Sequence, residues 1–166
     1  MIFELHPPQA AGPLHIGAAG HDTFEILKQL GVPVVLCRAA GSGPAWGVHR
    51  PSGLFIAAFF DADNRLEAIE FGRPDSTDDT VTYDTLDVFT TPAADLITRL
   101  RQRTTVHQEQ EEDAYALTAP SLLLSLWRQV TPRAPEDQEG PFFESVLIAR
   151  PGYYDQPAGP GGPSRE

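Results

Sequence analysis

Apolar residues recur at every third or fourth position in two stretches of this chain, and alternate or run together elsewhere. Phe24, Leu27 and Leu30, with Ile26 beside them, share one side of a helical period. Asp22 followed by Glu25 has the form of a capping box, and Gly31 and Pro33 mark a stop. This predicts a first helix over residues 22–30. Ala93, Leu96, Ile97 and Leu100 predict a second, with Thr91 as cap and Pro92 in the first helical position. Arg99, Arg101 and Arg103 lie toward its C-terminus, where the helix dipole favours cations.

The remaining pattern predicts strands. Short extended pieces are expected at residues 2–5, 34–38, 46–49, 81–83 and 86–89. Residues 54–60 are apolar throughout, as in a strand covered on both faces. The polar turn Asp61-Ala62-Asp63-Asn64 joins that run to residues 65–71 as an antiparallel hairpin. Strands resume at 105–108, 114–118, 121–128 and 142–149. Residues 7–13 read as a linker, and 131–141 as a long acidic, Pro-rich loop. The 156–166 tail, rich in Pro and Gly, has nothing to bury and is expected to be disordered.

Together these elements predict an α+β fold with two helices packed on antiparallel β-sheet, in one domain over residues 1–155. They also suggest pseudo-duplication of a helix-plus-meander unit, with halves at 12–74 and 81–151. Ile26, Leu27 and Leu30 find counterparts in Leu96, Ile97 and Leu100. Pro51-Ser52 recurs as Pro120-Ser121, and Gly72-Arg73-Pro74 as Ala149-Arg150-Pro151. One helix is too small to cover a long meander, whereas two units can share a continuous sheet.

Charge narrows the classes of function. The net charge of −11 lacks the basic footprint that binds nucleic-acid phosphates or an anionic membrane surface. A basic protein partner fits better. Cys37 is the single cysteine, so no intramolecular disulfide forms, and its place in Val34-Val35-Leu36-Cys37 predicts a buried small hydrophobe. The N-terminal residues lack the basic and apolar regions of a signal peptide, and no apolar stretch is long enough to cross a membrane. A cytoplasmic location is expected.

Candidate chemistry is sparse. His6, His15, His21, His49 and His107 have no zinc-helix spacing, and no Cys-x-x-Cys is present. Asp61-Ala62-Asp63-Asn64 begins like a calcium loop, but Arg65 and Leu66 stand where further ligands and the required Gly belong. Gly41-Ser42-Gly43-Pro44-Ala45-Trp46-Gly47 lacks the Lys of a phosphate loop and a following helix. No hydrolase elbow occurs, and Ser145 falls within a strand. No cofactor, metal or catalytic residue is predicted.

Acidic clusters stand out instead: Asp75, Asp78 and Asp79; Glu109, Glu111, Glu112 and Asp113; and Glu136, Asp137 and Glu139. The first two, with Tyr115 as an aromatic anchor, are the predicted partner-binding residues. Trp127 is expected in the core. The reading that follows is a non-catalytic acidic protein-binding module of the immunity or inhibitor type. Two alternatives remain open. One is a small-molecule or enzymatic site near His15, His21 and the Gly41–Gly47 loop. The other is a structural homodimer subunit.

The stretch Gly12-Pro13-Leu14-His15-Ile16-Gly17, the helix ending Leu30-Gly31-Val32-Pro33, and the hairpin Phe59 to Phe71 together resemble a group of uncharacterised actinobacterial cytosolic proteins. They are also similar to small beta-lactamase-inhibitor-like units, which implies tandem helix-plus-antiparallel-sheet repeats. Ala18-Ala19 stands here where that opening usually has Met-Ser or Met-Thr. The resemblance carries over no catalytic residue.

Overall fold

The computed structural model describes residues 1–38, 40–110, 115–128 and 141–153. Glu111, Glu112, Asp113, the 131–140 part of the acidic loop and the 156–166 tail lie outside the described residues. The first half runs β1 (Ile2–His6), β2 (Ala10–Ala11), β3 (Leu14–His15), α1 (Gly20–Leu30), β4 (Val34–Val35), β5 (Ala45–His49), β6 (Phe55–Phe60) and β7 (Leu66–Gly72). The second runs β8 (Thr80–Tyr83), β9 (Leu86–Asp87), α2 (Ala93–Arg103), β10 (His107–Gln110), β11 (Tyr115–Ala119), a 3-10 turn (Pro120–Leu122), β12 (Leu124–Arg128) and β13 (Ser145–Ala149). The protein is α+β.

Two sheets form. The larger has eight strands in the order β10-β11-β12-β13-β7-β6-β5-β4, antiparallel throughout. Each run of four follows an 11-residue helix, and the two runs meet where β7 pairs with β13. The smaller has the order β3-β2-β1-β8-β9 and contains a parallel pairing, Ile2 to Thr80 through Glu4 to Thr82. The expected linker is therefore structured: Ala10 and Ala11 pair with β1 and are buried.

Side-chain alternation gives the large sheet two unlike faces. On the inner face Ile56, Phe60, Leu66, Ile69, Phe71, Val146, Ile148, Leu124 and Leu126 are all 2% exposed or less. They join one core with Phe3 and Leu5 of β1, Leu27 and Leu30 of α1, and Leu96 and Leu100 of α2. Phe3 meets Phe71 with ring centroids 5.4 Å apart, so the small sheet and both helices lie on this side. A bulge at Glu67 keeps the register in order: Phe59 pairs with Ala68 and Phe60 with Leu66, leaving Glu67 as the extra residue.

Several local expectations are corrected. The first helix starts at Gly20 with Ala19 in the cap position, three residues before the expected cap Asp22, which sits in the first turn. The hairpin turn does part of that work, because the Gly20 N–H donates to the Asn64 carbonyl at 2.8 Å. Asp61 closes that turn by accepting from the Asp63 and Arg65 N–H groups. In the second helix Pro92 is the cap position and Ala93 the first helical residue. The 34–38 strand is shortened to Val34–Val35, with the Leu36 N–H still donating to the Ala45 carbonyl at 2.9 Å, and Cys37 beyond it is exposed. The 121–128 strand begins late, because Leu123 turns through a left-handed conformation at φ 51°.

Candidate functional site

The outer face of the large sheet carries no helix and no second sheet among the described residues. Register places its residues in rows. Phe55, Gly72, Ser145 and Trp127 form one row across β6, β7, β13 and β12. Ala57, Glu70, Leu147 and Ser125 form the next, followed by Phe59, Ala68 and Ala149. Phe55, Phe59, Glu70, Ser145 and Leu147 are half-buried, and Trp127 is 39% exposed. In β6 no residue is exposed; Phe55 and Phe59 on the outer side are part-buried and Ala57 between them is buried. One expectation falls here: Trp127 belongs to the outer surface rather than the core. Trp127 and Leu126 differ by one position, and that step is enough to reverse the face.

Three carboxylates around this surface are treated differently. Glu67 is buried by the bulge and pairs with Arg38 at 3.1 Å and Arg150 at 3.4 Å. Asp61 lies 3.6 Å from Arg150. Glu70, in the middle of the face, accepts one hydrogen bond from the Ser145 hydroxyl at 2.6 Å. No ion pair reaches it among the described residues. A carboxylate has about four acceptor sites, so Glu70 keeps most of its capacity unused beside Ala57 and Leu147. Gly72 adds no side chain next to it, and the far edge of the Phe55 ring lies over Gly47.

The described members of the predicted acidic set differ in their surroundings. Asp75 and Asp78 are exposed in the loop before β8, and Glu109 is exposed on β10. Asp79 is only 3% exposed and belongs to the interior. It accepts from the Arg50 Nε at 2.8 Å and from the Ser52 hydroxyl, and the Met1 α-ammonium lies 3.0 Å away. Burial pulls the Asp79 pKa upward, but the hydrogen bonds from Arg50, Ser52 and the ammonium outweigh it and hold the carboxyl well below its ordinary range. Tyr115 is 7% exposed on the inner face, with the Arg128 guanidinium 4.6 Å from its ring centre. Burial raises its pKa. Asp79 and Tyr115 are thus structural, not a docking rim.

The histidine alternative is only partly assembled. His21 lines a shallow hollow of about 230 Å³ with Gly20, Phe24, Trp46, Phe60 and Asn64. The hollow takes Trp46 from the Gly41–Gly47 loop, and His15 is not among its lining residues. The His21 ring is 82% exposed and contacts Asp22 at 2.8 Å. Among the described residues no group of three or more His, Cys, Asp or Glu is placed to hold a metal. None of their helices is long and apolar enough to cross a membrane.

Glu70, Phe55 and Leu147 were not singled out from sequence. A signal existed for Glu70, a carboxylate between Ile69 and Phe71 in an apolar strand. No protein-family model matches the chain, and neither does a curated protein or a solved structure.

Proposed function

We propose that this chain is a non-catalytic protein-binding module of the immunity or inhibitor type, which docks a basic partner on the outer face of its eight-stranded sheet. One observation carries the reading. Part-buried Phe55, Phe59 and Leu147 and exposed Trp127 share a face that, among the described residues, carries neither helix nor second sheet. Large exposed apolar patches with aromatic anchors are the usual mark of a contact surface. The net charge of −11 supports a cationic partner, since it steers such a molecule inward.

The same reading takes the two halves as copies of one helix-plus-meander unit. Its support is the strand order, in which each four-strand run follows a helix and the runs join tail to tail at β7 and β13. The join places Glu70 opposite Leu147, at the middle of the outer face.

A displayed peptide pool tests the function directly. Binders to the full chain are expected to be rich in Lys, Arg and apolar residues. They should weaken severalfold between 0.05 and 0.5 M salt and fail against Leu147→Arg. Salt-insensitive binders, or binders indifferent to Leu147→Arg, would remove the proposal.

A further inference from the structure

Resting on that reading, we infer that Glu70 is the recognition group of the face: it takes a single cationic side chain, Lys or Arg, from the partner, with Trp127 as the flanking aromatic wall.

The charged groups around this face are paired unequally. Arg38 and Arg150 are both committed to Glu67, and Arg38 also donates to the carbonyls of Gly43 and Phe60. Its guanidinium further lies 5.3 Å from the Phe59 ring centre. Arg73 is drawn to the Phe142 ring, 5.1 Å from its centre. The cations nearest this face are therefore engaged elsewhere. Glu70 keeps only the neutral Ser145 donor.

A half-buried carboxylate among apolar neighbours loses hydration without recovering it from a charge. A partner cation supplies what is missing, and it does so where water is displaced by the surrounding contact. Gly72 adds no side chain beside Glu70 and Ser145, and the far edge of the Phe55 ring lies over Gly47, with its near edge against Gly72. Trp127 stands next to Ser145 in the cross-strand register and is 39% exposed, which puts an accessible aromatic side chain on the same face as Glu70, where it can flank a bound cation. Ser145 acts as a positioning residue, holding the carboxylate by its Oε1.

The test uses ten-residue peptides with one central Lys or Arg among Ala, Leu, Ser and Tyr, and a matched pool with norleucine or citrulline at the centre. Both are offered to the full-length chain, to Glu70→Gln and to Trp127→Ala, with thermal melts confirming that each variant folds. Cationic peptides are expected to bind the unaltered chain and to weaken at least about tenfold on Glu70→Gln. The neutral pool should bind weakly to both and hardly distinguish them. Comparing Lys with Arg binders shows which cation fits better. Peptides that need Trp127 but ignore Glu70 would overturn this inference and leave the docking face standing. Binders insensitive to both variants, no binders at all, or a dimer of the chain that shields Trp127, would overturn both.

Discussion

The two faces of the large sheet are built from the same strands, one residue apart, yet they obey different rules. Inside, Phe71, Ile69, Ile56 and Ile148 are fully buried or nearly so, and buried Asp79 takes donors from Arg50 and Ser52 on Oδ2, with the Met1 ammonium 3.0 Å from Oδ1. Outside, large apolar side chains alternate with Gly72, Ala57, Ala68 and Ser145, and Glu70 holds one neutral hydrogen bond. The inner face is shaped by packing, where every polar atom must be matched within the chain. Among the described residues no helix or second sheet packs on the outer face, although Ala57, Ala68 and Ala149 within it are buried. The contrast between Glu67 and Glu70 makes the same point within one strand: three residues apart, one is locked between two arginines and the other is left for something else.

That contrast can be broken experimentally, and the inner face should give the largest effect. Phe71→Ala removes a ring that is fully buried against Phe3, and should cost about 3–5 kcal/mol in urea unfolding. Next comes Asp79→Asn, which strands Arg50 and the Met1 ammonium and should cost about 3 kcal/mol at pH 7. This effect is pH-dependent. The folded carboxyl is held below its unfolded value, so its contribution is complete above about pH 4 and fades as pH falls further. The gap in urea midpoint between the unaltered chain and Asp79→Asn should therefore narrow on acidification below pH 4. A gap constant down to pH 2.5 would show that Asp79 is not paired as described.

On the outer face the sign of the comparison should reverse. Trp127→Ala should shift stability by less than about 1 kcal/mol, because the ring is already 39% exposed. Its effect should appear in peptide binding instead. If Trp127→Ala destabilises the fold as strongly as Phe71→Ala, the outer face is a packed surface and the distinction between the two faces fails.

Much of the fold was legible. Phe24, Leu27 and Leu30, and Leu96, Ile97 and Leu100, marked both helices, because a helix facing a core needs apolar residues at that period. Asp61 to Asn64 marked the hairpin because its turn chemistry is local. The helix start was misplaced for the complementary reason: its first N–H is met by Asn64, a residue far along the chain. Cys37 and Trp127 were both assigned to the interior from apolar neighbours, although neighbours in a strand point to opposite sides. Asp79 looked like one member of an acidic loop until Arg50 and Ser52, from the turn before β6, arrived beside it.

The sequence alone marked both helices and most of the strand segments, the α+β class, and the large excess of negative charge. Those properties depend on residue type and spacing over a few positions. Only the tertiary structure decided which carboxylates are paired and which face of the sheet receives the helices and the second sheet. Charge pairing joins residues distant along the chain, and whether a strand face is covered depends on where helices from elsewhere come to rest. No local pattern around Glu67 and Glu70 distinguishes them; the two arginines that reach only the first do.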